Sequence, residues 1–180
     1  MSARSIRVAT VLLILVVATA HTAQTALAYT LMNDGYYRKS YGINTSTYAS
    51  SYATPINGAI SSWNSAGVGV SVTGGSAPYA NIMYAQSVAD SYYGAYIPQV
   101  RNAAYYPHQT TQFKVIINTR TCSSLSATAK RSVVCHELGH SWGLNHEPIK
   151  TAIMNSGRLR DVIYTPQLDD RNGVVASWNR

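Results

Sequence analysis

The stretch that decides the fold runs from His136 to His146 and reads His-Glu-Leu-Gly-His-Ser-Trp-Gly-Leu-Asn-His. A helix repeats every 3.6 residues, so His136 and His140 project from one face, one turn apart. Two neutral imidazoles in that arrangement can both reach one Zn²⁺ at about 2.0–2.1 Å. Gly143 lets the helix end, because glycine adopts positive φ without a Cβ clash. The turn is then expected to bring His146 back as a third ligand.

The same stretch also carries a candidate base. Glu137 follows His136 directly and is expected to point beside the metal rather than at it. Three histidine ligands leave the fourth position open for water, which is typical of a catalytic zinc. The pattern therefore predicts one catalytic Zn²⁺ held by His136, His140 and His146, with Glu137 taking a proton from the water. A solvated helix with scattered histidines is the alternative, although three of the five histidines fall within this stretch.

The motif, followed by Ile153-Met154-Asn155, resembles the metzincin clan of zinc endopeptidases, with its extended zinc motif and downstream methionine turn. Within that clan the chain is most similar to the matrixins, because residues 165–173 resemble their closing helix with its paired Asp-Asp. The likeness covers roughly residues 33–178. It implies that Met154 packs beneath the metal without binding it. An ordinary core methionine is the alternative.

The fold class expected for this chain is α+β. Strands, then a central helix, then a terminal helix indicate a twisted sheet with helices packed on it. The resemblance implies a metzincin-like arrangement, in which the sheet is mostly parallel and carries an active-site helix and a C-terminal helix. Thr54 is expected to cap the first helix, with Pro55 at its first position. The last helix is expected to open at Thr165-Pro166, with an inward face of Leu168, Val175 and Trp178.

The first 28 residues have the pattern of a signal peptide. Arg4 and Arg7 precede an apolar run at residues 8–20, which is too short to span a bilayer comfortably, and Ala26-Leu27-Ala28 is a small-x-small cleavage site. We therefore expect residues 1–28 to be removed and residues 29–180 to form a secreted zinc metallopeptidase domain. A membrane anchor is the alternative, against which the polar residues after the run argue.

Cys122 and Cys135 are the only cysteines of the chain. An even count in an exported chain predicts a disulfide between them, which the chain-entropy model values at about 3 kcal/mol for a loop of this size. Because Cys135 precedes His136, the bridge would fasten the incoming loop to the motif helix. The alternative is that one cysteine is a ligand or a redox thiol.

The charge pattern bears on the partners. The formal net charge is +7, which could favour anionic partners such as cell-wall polymers or acidic proteins. No Lys/Arg cluster longer than a pair occurs, so nucleic acid is not an expected partner. No apolar run after the signal peptide could cross a membrane. A monomer acting on a protein or peptide substrate is expected.

A second metal is not expected. Many matrixins carry a structural zinc and calcium ions in a loop rich in histidine and aspartate. Here the corresponding region offers His108 and Asp90 alone, so one zinc is predicted. A non-proteolytic zinc-carrying surface-binding domain remains an alternative function, and an intact Glu137 argues against it, because a binding module has no use for a base.

Substrate is expected to lie along a sheet edge at residues 92–97 and to place a side chain in a pocket formed by the motif helix and residues 149–166. That segment favours an apolar or aromatic residue just after the cleaved bond, because it contains Ile153, Met154, Leu159, Val162 and Ile163. Arg158 and Arg160 would instead admit an acidic residue if either points inward.

Overall fold

The computed structural model describes residues 29–36, 38–47, 50–76, 78–104 and 108–179. The predicted signal peptide lies outside these residues. The strands are β1 (Asp34–Tyr36), β2 (Ser40–Thr47), β3 (Ser71–Gly75), β4 (Asn81–Gln86), β5 (Gly94–Asn102) and β6 (His108–Asn118). The helices are α1 (Ala53–Asn64), α2 (Thr119–Cys122), α3 (Ala127–Ser141) and α4 (Leu168–Ser177). Within the described ranges, no helix combines the length and apolar character needed to cross a membrane.

The strands form one twisted sheet in which all pairings but one are parallel, as far as the described residues show. The order is β1-β6-β4-β2-β3, and β5 pairs antiparallel with β6. Lys114 of β6 pairs with Ile82 of β4 and also with Ile97 of β5, so these neighbours lie on opposite sides of β6. β5 is therefore an edge strand. The predicted α+β class, the mostly parallel sheet and the edge near residues 92–97 are confirmed.

Helix α1 packs against α3 and fixes its position over the sheet. Trp63 is fully buried, lies 4.9 Å from the ring of Trp142, and donates from Nε1 to the backbone oxygen of Cys135 at 2.9 Å. The predicted start of α1 was wrong. The helix begins at Ala53, because a 3-10 turn at Ser50–Tyr52 leads directly into it and Tyr52 already has helical dihedral angles.

Helix α3 carries the motif. It begins after Ser126, whose side chain accepts a hydrogen bond from the N–H of Ala129, as a serine N-cap should. It ends at Ser141, and Gly143 just beyond has φ +85°. The positive φ reverses the chain, so that the residues after the helix return toward the face of α3 that carries His136 and His140.

Two of the three residues predicted to face inward on α4 do not, whereas Trp178 is partly buried and packs against the core as predicted. Leu168 and Val175 are 61% and 46% exposed, whereas Asp170 and Val174 are buried. Asp170 and Val174 face inward because Gly173, which has no side chain, allows α4 to pack closely against Leu144. A Cβ at Gly173 would lie 2.7 Å from Cδ2 of Leu144, and Asp170 is bonded to the turn described below.

The predicted disulfide is corrected by the structure, in which Cys122 and Cys135 are buried free thiols. Cys122 points to the edge of the sheet and donates to the backbone oxygen of Tyr93. It lies near Lys130 and Glu137, which share one face of α3. At about 100° per residue, Cys135 is turned roughly 160° away from Glu137 around the helix axis. The two sulfurs therefore lie on different sides of α3.

Candidate metal centre and active site

The structure brings the three histidines of the motif together. His136 and His140 project from α3, and His146 returns after the turn at Gly143. One ring nitrogen from each lies within 4.8 Å of the others. Nε2 of His136 and Nε2 of His146 are 3.1 Å apart. Ligands of a tetrahedral ion with bonds of about 2.0 Å are about 3.3 Å apart, so the spacing fits one zinc ion.

Backbone carbonyls orient two of the three imidazoles. Nδ1 of His136 lies 2.8 Å from the oxygen of Ile153, and Nδ1 of His140 lies 2.7 Å from the oxygen of Leu144. Because a carbonyl only accepts, each Nδ1 carries the proton and each Nε2 keeps its lone pair. Burial lowers the pKa of His140 to about 4 and that of His136 well below its usual range. Both rings are therefore neutral, as metal ligands must be.

Glu137 is held between the motif helix and the edge strand. Its side chain is 5% exposed and lies against Gly94 of β5. Burial raises its pKa to about 8, while the charge of Arg158 and a hydrogen bond with the backbone of Tyr96 oppose that rise. A divalent cation beside the carboxylate would lower the pKa again. The group is thus suited to exchange a proton near neutral pH.

A turn after the motif supports the histidines from below. Met154 is 1% exposed, and its sulfur would lie only 2.5 Å from a Cβ built on Gly139. The sulfur can pack there because residue 139 has no side chain. Asp170 of α4 accepts from the N–H of Ile153 at 2.8 Å and from that of Met154 at 3.1 Å. Since the oxygen of Ile153 holds His136, Asp170 positions a metal ligand through this turn. The sequence placed Asp170 only at a helix terminus.

Arg158 is a second residue whose position the sequence left open. Arg158 is 4% exposed, and its guanidinium donates to Oγ of Ser132 at 2.8 Å and to the backbone oxygen of Asn155 at 2.9 Å. It therefore ties the turn to α3 behind His136. Burial, and then the nearby charge of Arg160, lower the pKa of Arg158 to about 10. The group remains charged at neutral pH.

A cavity of about 460 Å³ lies over the histidines and Glu137. The expected apolar wall from residues 149–166 was wrong, because the members of that segment that line the cavity are Ser156, Arg158 and Arg160. Ile153 and Met154 are buried in the core, and Leu159 and Val162 point to solvent at 72% and 64% exposure. Val133 of α3 and Tyr93 complete this end of the cavity.

Arg160 lies across the end of the cavity. Its guanidinium stacks over the ring of Tyr93 at 4.3 Å, and Nη2 donates to the backbone oxygen of Ser156 at 3.0 Å. Its Nε is buried without a hydrogen-bond partner among the described residues. A buried donor left unpaired costs about 1–3 kcal/mol. The contacts with Tyr93 and Ser156 thus hold the Arg160 side chain in place, while its Nε–H is left without an acceptor in the described part of the chain.

The sequence-based expectation of no second metal site concerned His108, whose side chain lies outside the described residues. Among the side chains that the structure does describe, the group able to hold a metal is the histidine cluster itself.

Comparisons with known proteins agree with this geometry. A family model described as dual-action HEIGH metallo-peptidase matches residues 14–157. The chain has Leu138 at the third position of that five-residue motif, where its side chain is fully buried. Among solved structures, a chain of the GM1-bound form of the ECX AB5 holotoxin is similar with a TM-score of 0.56 and 15% identity, over 84% of this chain and 87% of that one. This likeness bears on the fold alone. No curated protein matches.

Proposed function

Because the chain belongs to the family of dual-action HEIGH metallo-peptidases, we propose that it is a secreted zinc endopeptidase with one catalytic ion and Glu137 as general base. The observation that carries the proposal is that the buried Glu137 lines the same cavity as the three convergent imidazoles. Secretion rests on the basic and apolar pattern of residues 1–28. No observation favours a non-proteolytic zinc-carrying domain.

His136, His140 and His146 would hold the zinc ion. When bound, zinc supplies a Lewis acid that polarises the scissile carbonyl and lowers the pKa of a water to about 7. Glu137 accepts the proton of that water and later delivers it to the leaving amine. Its contacts with β5 restrict its motion, so the carboxylate stays on one side of the reacting bond throughout.

The substrate would lie along β5. This strand has no second strand partner on the side away from β6 among the described residues. An extended peptide can therefore bind there by main-chain hydrogen bonds, as an added strand. The cavity opens along this edge, since Gly94, Ala95 and Tyr96 all line it. The scissile bond would then lie over the histidines.

Glu137→Gln tests the proposal most directly. We expect the purified chain to contain one zinc, to cleave casein, and to lose activity with a chelator. The variant should keep its zinc and lose about a hundredfold or more in hydrolysis, which is what a general base contributes. Asp90→Asn, which removes an exposed carboxylate, should keep full activity. Zinc without any cleavage would identify a binding domain, and near-full activity of Glu137→Gln would exclude Glu137 as the base.

A further inference from the structure

We propose that this peptidase selects substrates with an acidic side chain immediately after the cleaved bond, and that Arg160 is the residue that recognises it. The inference rests on the proposed endopeptidase function and names the substrate class of the same site. It reverses the sequence-based expectation of an apolar residue at this position.

The position of Glu137 fixes which end of the cavity receives that side chain. The base must deliver a proton to the leaving amine, which belongs to the residue just after the cleaved bond. This residue therefore lies on the Glu137 side of the histidines. Glu137 contacts Gly94, at the start of β5, next to Tyr93. The end of the cavity beyond it is the end that Tyr93 and Arg160 form together.

The same direction follows from strand pairing. β5 runs away from Tyr93, from Gly94 to Asn102. A peptide added antiparallel to it runs toward Tyr93, so the residues after the cleaved bond are at the Arg160 end. Antiparallel addition is slightly the more stable arrangement per residue. Two independent arguments thus place the same substrate side chain near Arg160.

The charges at this end are unbalanced. Arg158 and Arg160 both line the cavity, and Glu137 is the single carboxylate among its lining residues. Among the described residues, neither Arg158 nor Arg160 forms an ion pair with a carboxylate. A substrate carboxylate would face the unpaired charge of Arg160, whereas a lysine would bring a like charge beside it.

The guanidinium of Arg160 is also held in a geometry suited to a carboxylate. Its Cζ lies over the ring of Tyr93 at 4.3 Å from the centroid, and its Nη2 donates to the backbone oxygen of Ser156 at 3.0 Å, so two contacts hold the group. A planar fork so fixed loses little freedom on binding, and forked pairing with a carboxylate is its preferred contact. Arg158 is already bonded to Ser132 and Asn155, so its contribution is charge alone.

The test uses four peptides that differ only in the residue after the cleaved bond, which is Glu, Gln, Leu or Lys. For the wild-type chain we expect kcat/KM for Glu to exceed that for Gln and Leu by about tenfold or more, as a charge-assisted pair provides, and Lys to be poorest. Arg160→Met should remove the preference for Glu over Leu, because it removes the guanidinium and keeps much of the apolar stem. Arg160→Glu should favour Lys.

Lys150→Met is the matched control, because it removes an exposed positive charge from the same loop outside the cavity. It should keep the preference for Glu. Equal cleavage of the Glu and Leu peptides by the wild type overturns the inference. An unchanged preference in Arg160→Met, confirmed as folded by its thermal transition, assigns recognition to another residue and also overturns it.

Measuring peptide binding to an inactive variant tests the acidic preference separately from the proposed peptidase activity. The four intact peptides are titrated into Glu137→Gln with zinc bound, where turnover is not needed. The Glu peptide should bind about tenfold more tightly than the Leu peptide, and adding Arg160→Met should remove the difference. Selective binding without cleavage by the wild type would refute the endopeptidase and keep the acidic site. Unselective binding would refute the acidic site whatever the activity.

Discussion

Gly94 and Glu137 are in direct contact across the active-site cleft. A Cβ built on Gly94 would lie 2.7 Å from both Cγ and Oε1 of Glu137. The edge strand therefore approaches Glu137 this closely only because position 94 has no side chain. At the start of β5, a glycine allows another group to approach the backbone closely.

Gly94→Ala should displace the base and spare the metal. We expect hydrolysis to fall by at least about tenfold, because a small misplacement of a catalytic group is costly, while one zinc per chain is retained. Activity on casein and elemental analysis would measure the two effects. Gly157→Ala is the matched control, since its Cβ would meet nothing closer than 3.5 Å. Full activity of Gly94→Ala would show that Glu137 has room to move.

Asp170→Ala should destabilise the fold and weaken metal binding together. The change leaves the buried N–H groups of Ile153 and Met154 without their acceptor. We expect the free energy of unfolding to drop by roughly 3 kcal/mol, as measured by urea denaturation. Zinc affinity should also fall, because the Ile153 carbonyl orients His136.

Asp90→Ala, on the surface, should alter neither quantity. A variant of Asp170 with wild-type stability and zinc affinity would mean that the turn holds itself without α4.

The thiols should be free but protected. Burial raises the pKa of both Cys122 and Cys135 and disfavours the reactive thiolate. We expect a thiol reagent to label neither cysteine quickly in the folded chain. It should label both after unfolding without reductant, and one in Cys122→Ser. No labelling of the unfolded chain would instead establish the disulfide.

The parts of the site that the sequence predicted are those set by local geometry. His136 and His140 follow from the helical repeat, and His146 from the glycine that ends the helix. No contact with a distant segment is needed to place them. The buried residues Ile56, Ala59, Ile60 and Trp63 of α1 have the same helical spacing.

The parts that the sequence missed depend on packing between segments far apart in the chain. Nothing near Gly94 in the sequence shows that a helix residue would lie against it. From the sequence alone, Arg158 is expected to be a charged surface residue. In the structure it is buried, and its guanidinium donates hydrogen bonds to Ser132 and Asn155. Asp170 reads as a helix-terminal acid, and its burial is possible because three backbone N–H groups face it.

The prediction of an apolar pocket was wrong for a related reason. Composition shows that residues 149–166 contain many large apolar side chains, but it does not show which way each one points. Ile153 and Met154 turn toward the core and Leu159 toward solvent, which leaves the arginines to face the cavity. In a loop without regular structure, no periodicity fixes the direction of successive side chains.

The bond between Ile153 and Asp170 also orders events during synthesis. The two residues are 17 positions apart, and Asp170 is the later one. A chain made from its N-terminus presents all three histidines before the carboxylate that fixes their support has emerged. Synthesis must therefore pass Asp170 before the support of the metal centre is complete, and a nascent chain shortened before Asp170 would carry all three histidines without the carboxylate that holds their turn.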